Sequence, residues 1–240
     1  MSRLEELLQT LCPDGVEYKK LAEIGAFFSG LTGKTKQDFE NGNSRFISYM
    51  NVYKNPAVDI TVGDFVRIGN TERQNKVEFG DILFTGSSET PEECGITSVM
   101  VKHPDEPFYL NSFTIGFRLF DPNILIPEFS KHLFRSAELR KQINKTANGV
   151  TRFNVSKVKL SQVVIPLPPL PVQEEIVRIL DTFSSTVAEL ELKLNAERAA
   201  RIRQYEHYRD FLLTFNELSV ESVDRQTDRQ TDRQTDGYDG

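Results

Sequence analysis

A mixed α/β domain, one long helix and an unstructured tail form the fold class this sequence predicts, on three observations. Short β-like runs separated by glycines fill the stretch from Val16 to Leu119. Apolar residues then recur with a 4-3-4-3-4 spacing from Ile176 to Leu194, the seam of a coiled coil. Between Asp224 and Asp236 the chain repeats Asp-Arg-Gln-Thr three times without one apolar residue, so nothing there can offset the entropy of ordering.

Taken in order, residues 1–11 read as a short helix, with Leu4, Leu7, Leu8 and Leu11 on one face and the turn Pro13-Asp14-Gly15 after it. Strands are expected at Arg45–Tyr49, Phe65–Ile68, Asp81–Phe84, Ile96–Lys102 and Phe113–Leu119. A single helical stretch is expected from Pro127 through Phe129, Leu133, Phe134 and Ile143, ended by the loop at Asn148-Gly149. A polar strand follows. Four prolines between Pro166 and Pro171 then exclude a helix or a central strand, and predict a stiff extended connector at a domain boundary. From Val172 to about Phe215 there is no Pro or Gly. The seam runs through Ile176, Leu180, Phe183, Val187, Leu190 and Leu194, turns polar near Arg198 and Arg201, and resumes with Tyr205, Tyr208, Leu212 and Phe215. About 44 helical residues at roughly 1.5 Å each make a rod on the order of 65 Å, which needs another helix to cover its stripe. The divisions are therefore 1–11, 12–168, 169–216 and 217–240.

One coding of the tail, GAC-AGA-CAG-ACA, is a pure tetranucleotide repeat. It predicts a slippage-prone, phase-variable tract in which this chain length is one frame among several, the alternative being a chance low-complexity tail.

Composition narrows the functional class. A hydrophobic fraction of 38% with 27% charged residues fits a globular chain with a core. No apolar run approaches a membrane span, the opening MSRLEELLQTL is amphipathic rather than signal-like, and Cys12 and Cys94 are isolated. A cytoplasmic, reduced protein is expected. The net charge of −6 argues against a polyanionic partner until its distribution is read. Seven of the 35 acidic residues and three of the 29 basic ones lie after Asn216, leaving 28 against 26 before it. From Ser130 to Leu160 there are eight basic residues and one acidic residue, Glu138. Phosphates respond to charge within a Debye length of about 10 Å, not to the chain total.

No catalytic cluster stands out. GxGxxG, a Walker loop and the Asn/Asp-Pro-Pro-Tyr/Phe motif of amino-methyltransferases are absent from the sequence, and His103, His132 and His207 lack metal-ligand spacing. Asp14, Glu17 and Lys19 resemble nuclease carboxylates only superficially, and Asp81 with Glu89, Glu92 and Glu93 reads as solvated surface.

Binding residues are better represented. Ser87 and Ser88 in the loop Phe84-Thr-Gly-Ser-Ser88 can hold a DNA backbone or base, as can Lys34 and Lys36 in a glycine-flanked loop, the alternative in both being an ordinary turn. Tyr49 and Asn51 pair an aromatic ring with an amide suited to adenine edges, the alternative being a strand end with Tyr49 in the core. Arg140, Lys141 and Lys145 share a helix face and can contact phosphates, or simply be solvated. Arg152 and Asn154, in the polar loop after them, can reach base edges.

At the end of this loop the sequence resembles a known junction. Gly149-x-Thr151, Val155-Ser156, Leu160, Val163, Ile165-Pro-Leu-Pro-Pro-Leu170, Gln173, Ile176-Val177, Leu180-Asp181 and Phe183 resemble the place where a target-recognition domain of type I restriction specificity subunits meets a long helix. Cys12-Pro-Asp-Gly-Val-Glu-Tyr-Lys-Lys-Leu21 resembles the start of such domains, so the resemblance covers nearly residues 10–215. It implies a non-catalytic chain that reads double-stranded DNA and docks a methyltransferase subunit, together with a restriction/translocase subunit. S-adenosylmethionine would belong to the methyltransferase subunit, with no cofactor or metal on this chain. Typical members carry two recognition domains and two helices, whereas one of each is found here. A half subunit is therefore expected to pair with a second copy of itself, helices antiparallel, on a bipartite site. Two alternatives stand beside this reading: a truncated remnant that binds the methyltransferase subunit without reading DNA, and a standalone nuclease.

Overall fold

A computed structural model describes residues 2–214; Phe215 and the Asp-Arg-Gln-Thr repeats lie outside them. The chain opens with α1 (Arg3–Leu11), which Ser2 caps: its hydroxyl accepts from the Glu5 amide at 3.3 Å while the Glu5 carboxylate accepts from the Ser2 amide at 2.7 Å. Next come β1 (Glu17–Lys20), the helical turn α2 (Leu21–Ile24), β2 (Gly25–Ser29), a 3-10 turn at Lys36–Phe39, β3 (Ser44–Ile47) and α3 (Tyr49–Lys54). Seven short strands follow: β4 (Phe65–Val66), β5 (Lys76–Val77), β6 (Ile82–Thr85), β7 (Ser87–Ser88), β8 (Thr97–Val99), β9 (Phe108–Leu110) and β10 (Thr114–Leu119). The rest comprises α4 (Pro127–Leu133), α5 (Ala137–Asn144), β11 (Ala147–Asn148), β12 (Phe153–Val155), α6 (Lys157–Leu160), β13 (Val164–Leu167) and α7 (Leu170–Leu213).

The strands form an antiparallel sheet β2-β10-β6-β8, a mixed sheet β4-β3-β9-β5 with β3 and β9 parallel, a small sheet β11-β12-β7, and the pair β1-β13. Strand β6 shows how they share a core. Ile82 and Phe84 enter one apolar cluster with Phe117, Phe134, Leu139 and Ile143, while Leu83 between them enters a second with Ile47, Val52, Met100 and Leu110. Successive strand residues face opposite ways, so a strand buried on both faces joins the two clusters.

Two expectations need correction here. The helical stretch after Pro127 is two helices. Ser136 accepts from the Leu139 amide at 3.4 Å and starts α5, and the preceding Arg135 turns inward to the carbonyls of Thr97, Val52, Tyr53 and Asn55 at 2.7–3.2 Å. Asp81 is not solvated surface. It is 1% exposed and receives two hydrogen bonds from Arg118 at 2.7 and 2.8 Å, although burial still pushes its carboxyl upward.

The proline run is extended as far as Pro169, but Pro171 lies in the first turn of α7, where an amide would lack a partner anyway, and the run is no free connector. Pro166 sits opposite Tyr18 in the two-stranded sheet, where a missing amide is tolerated, and Val163 and Ile165 are buried. The compact unit continues to Leu180. The first turns of α7 are fastened to it by Gln173, which is fully buried, accepts from the Ile126 amide at 2.9 Å and donates to the Ile124 and Pro168 carbonyls at 2.8 Å. Ile176 and Val177 lie against its core. A second unit begins at Asp181. In it α7 presents Phe183, Val187, Leu190 and Leu194, then Tyr205, Tyr208, Phe211 and Leu212, all more than half exposed.

Candidate nucleic-acid interface

An open cleft of about 500 Å³ gathers residues from four separate parts of the compact unit. Helix α3 supplies Tyr49, Met50 and Tyr53; β7 and the turn after it supply Ser87, Ser88, Glu89 and Glu93. Phe113 precedes β10, and Thr151 and Arg152 come from the loop before β12. Pairing of Phe153 with Ser88 and Asn154 with Ser87 holds that loop beside the serines. The loop needs Gly149: its φ is +143°, and a Cβ there would lie 2.0 Å from the Arg152 carbonyl oxygen.

One wall is aromatic and acidic. Tyr49 and Tyr53 are stacked with centroids 6.2 Å apart and planes 16° from parallel, as the i, i+4 spacing on a helix allows. The Tyr49 hydroxyl donates to the Ser87 carbonyl and the Tyr53 hydroxyl to the Glu93 carboxylate, each at 2.7 Å. The Glu93 hydrogen bond pushes the Tyr53 phenol upward, and burial does the same for Tyr49, so both stay protonated as donors. Opposite, the Arg152 guanidinium lies 5.5 Å from the centroid of the exposed Phe113 ring and donates to the Ser87 hydroxyl at 3.3 Å. Stacked rings, carboxylate acceptors and one guanidinium suit the amino groups and faces of bases better than phosphates. Exposed cations lie outside the cleft lining: Lys145 ends α5, while Lys157 and Lys159 on α6 donate to Ser29 Oγ and Asn148 Oδ1 at 2.9 and 2.7 Å.

The structure therefore brings Tyr49, Ser87, Ser88 and Arg152 together, with Asn154 in the adjoining strand. It gives other expected contacts different partners. Asn51 is 6% exposed within α3, not at a strand end; its amide donates to the Asp59 carbonyl at 2.8 Å and its oxygen accepts from the Asp59 amide at 3.0 Å. Lys34 is 8% exposed and donates to the Arg67 carbonyl and the Glu72 carboxylate, both at 2.6 Å. The Gly69 amide, Lys34 and Gln74 together hold Glu72 down to about 2. Lys36 is exposed at the 3-10 turn, away from the cleft lining. Arg140 turns inward to the Gly95, Glu92 and Cys94 carbonyls and to Asn144 Oδ1, and burial lowers its pKa. Lys141 is exposed, 3.5 Å from Glu138.

Sequence reading missed Tyr53 and Phe113 and took Glu93, which lines the cleft and accepts from Tyr53, for solvated surface. Tyr53 was detectable from its spacing to Tyr49; Phe113 carried no local signal. No helix among the described residues is long and apolar enough to cross a membrane.

Fold and cleft together define a mixed α/β module, with a polar-aromatic cleft, that runs into a long helix. A family model for the type I restriction modification DNA specificity domain matches residues 13–197, and the chain belongs to that family. It is 28% identical over 207 residues to the specificity subunit of the Escherichia coli type I restriction enzyme EcoR124I/EcoR124II, covering 83% of this chain and 48% of that protein. It is 54% identical over 56 residues to the E. coli EcoprrI specificity subunit, covering 23% and 14%. A solved structure concerned with complex assembly and conformational transition of the type I R-M system has the same fold, with TM-score 0.52 and 22% identity over 85% of this chain and 49% of that one. The chain thus spans about half the length of the EcoR124I/EcoR124II subunit.

Proposed function

We propose that this chain reads double-stranded DNA as the non-catalytic address of a type I restriction-modification complex, using the cleft between α3 and the Arg152 loop. The observation that carries this is the Tyr49–Tyr53, Ser87 and Arg152–Phe113 arrangement inside a domain of the specificity family. Base edges enter the cleft, while Lys145, Lys157 and Lys159 supply the salt-dependent phosphate contacts. The chemistry resides in a methyltransferase subunit that binds S-adenosylmethionine, with a restriction/translocase subunit as further partner. The exposed seam of α7 pairs with a second copy, helices antiparallel, and the dimer reads two inverted half-sites.

The test is co-expression with a methyltransferase subunit, followed by mapping of modified bases in the host DNA. Two inverted half-sites around a fixed gap are expected. A stable complex that deposits no new methylation would overturn DNA readout and favour a remnant that only binds the methyltransferase. An asymmetric motif would overturn the self-pairing part. Within the same assay, Arg152→Ala is expected to weaken specific binding roughly tenfold and to relax one position of each half-site, a loss of about 1–3 kcal/mol. Uniform weakening across all sequences would instead make Arg152 a phosphate contact.

A further inference from the structure

We infer that the polar interruption in the α7 seam is a register lock: Glu197 of one copy faces Arg201 of the other across the two-fold axis. The inference rests on the self-pairing proposed above and fixes its register. The spacing through Arg198, Tyr205 and Leu212 takes two successive four-residue steps at Leu194. Strict 3-4 steps on from Phe183, Val187, Leu190 and Leu194, which share Arg201 and Tyr208 with it, instead put Glu197, Arg201 and Gln204 on the seam, then Tyr208 and Phe211. Their proximity within one chain agrees with a shared face: Arg201 lies 3.7 Å from the Glu197 carboxylate and donates to Gln204 Oε1 at 3.2 Å. An exposed pair of this kind adds little to one helix, so a solitary helix has small use for three polar side chains in an apolar stripe.

Between two helices the same residues decide orientation. In a parallel pair each seam residue meets its own copy, so carboxylate faces carboxylate and guanidinium faces guanidinium. In an antiparallel pair centred on Ala199, Glu197 meets Arg201 twice, and four charges alternate in sign around the axis. Sliding by one heptad in one direction sets Glu197 against Leu194 and Arg201 against Leu190. In the other it sets Arg201 against Gln204 and leaves Glu197 without a cation. A charge desolvated without a partner is costly. Only the centred register matches every charge.

The experiment is a charge swap in the full chain, followed by sedimentation alone and in complex with the methyltransferase subunit. Glu197→Arg and Arg201→Glu are each expected to weaken self-association at least about tenfold, since like charges then meet twice. The double variant E197R/R201E is expected to return to within about threefold of the unmodified chain. Unchanged circular dichroism in all variants excludes unfolding as the cause. A dimer indifferent to the single swaps, or a double swap that fails to restore it, overturns the register while leaving self-pairing intact. An unmodified chain that is monomeric in both settings overturns the self-pairing reading itself.

Discussion

Replacing Leu190 and Leu194 with aspartate is expected to leave the chain monomeric and to abolish site-directed methylation. Both side chains are well exposed in the single chain, at 59% and 67%, so their loss removes nothing from its own core. In a symmetric pair the two changes become four. Burial of each leucine contributes about 1.5–3 kcal/mol, so on the order of 6–12 kcal/mol disappears, against about 8 kcal/mol for a micromolar dimer. Equilibrium sedimentation checks the first expectation and modified-base mapping the second. Leu180 is the wrong place for this test, because it is half-buried and belongs to the compact unit; aspartate there would confuse folding with pairing. A double variant that still sediments as a dimer would remove α7 from the interface.

Arg140→Met is expected to cost folding stability rather than DNA affinity. The guanidinium satisfies the carbonyls of Glu92, Cys94 and Gly95, which line the turn carrying Glu93 into the cleft. Methionine fills much of the same volume but donates nothing. Stranding the acceptors of the two buried residues, Cys94 and Gly95, costs about 2–4 kcal/mol, a fall in melting temperature of roughly 5–15 °C for a domain of this size. The slope of log affinity against log salt is expected to stay unchanged. A protein of normal stability whose slope drops by about one would restore Arg140 as a phosphate contact.

The opposed fates of Arg140 and Arg152 show where sequence reading stops. Both are arginines in the same basic stretch, and a guanidinium serves a backbone carbonyl as well as it serves a phosphate or a guanine edge. Which one it meets depends on pairings made far away in the chain. Lys34 and Asn51 were misread for the same reason, being donors that satisfy Arg67 and Asp59 inside the domain. Local signals served well where structure is local. The leucine stripe of α1, the strands β6 and β10 and the long α7 follow their periodicity. By contrast β5, β7 and β9 are two or three residues long, too short to show a period, and β9 lies parallel to a strand about sixty residues earlier. The serines of β7 read as a loop, yet they are buried and paired edge to edge with β12.

The pairing of β1 with β13 has a topological consequence. Glu17 lies opposite Leu167 and Lys20 opposite Val164, so the chain enters and leaves the recognition fold as hydrogen-bonded neighbours. Everything between them, cleft included, enters and leaves through this clasp, and the Gln173 bonds to Ile124 and Ile126 tie it to the start of α7 as well. Such an arrangement is expected to behave as a cassette whose loop set can be exchanged for one of different length, provided the clasp and the Ile124–Ile126 seat of Gln173 are kept. The flanking helices would then receive a new address without any change of their own.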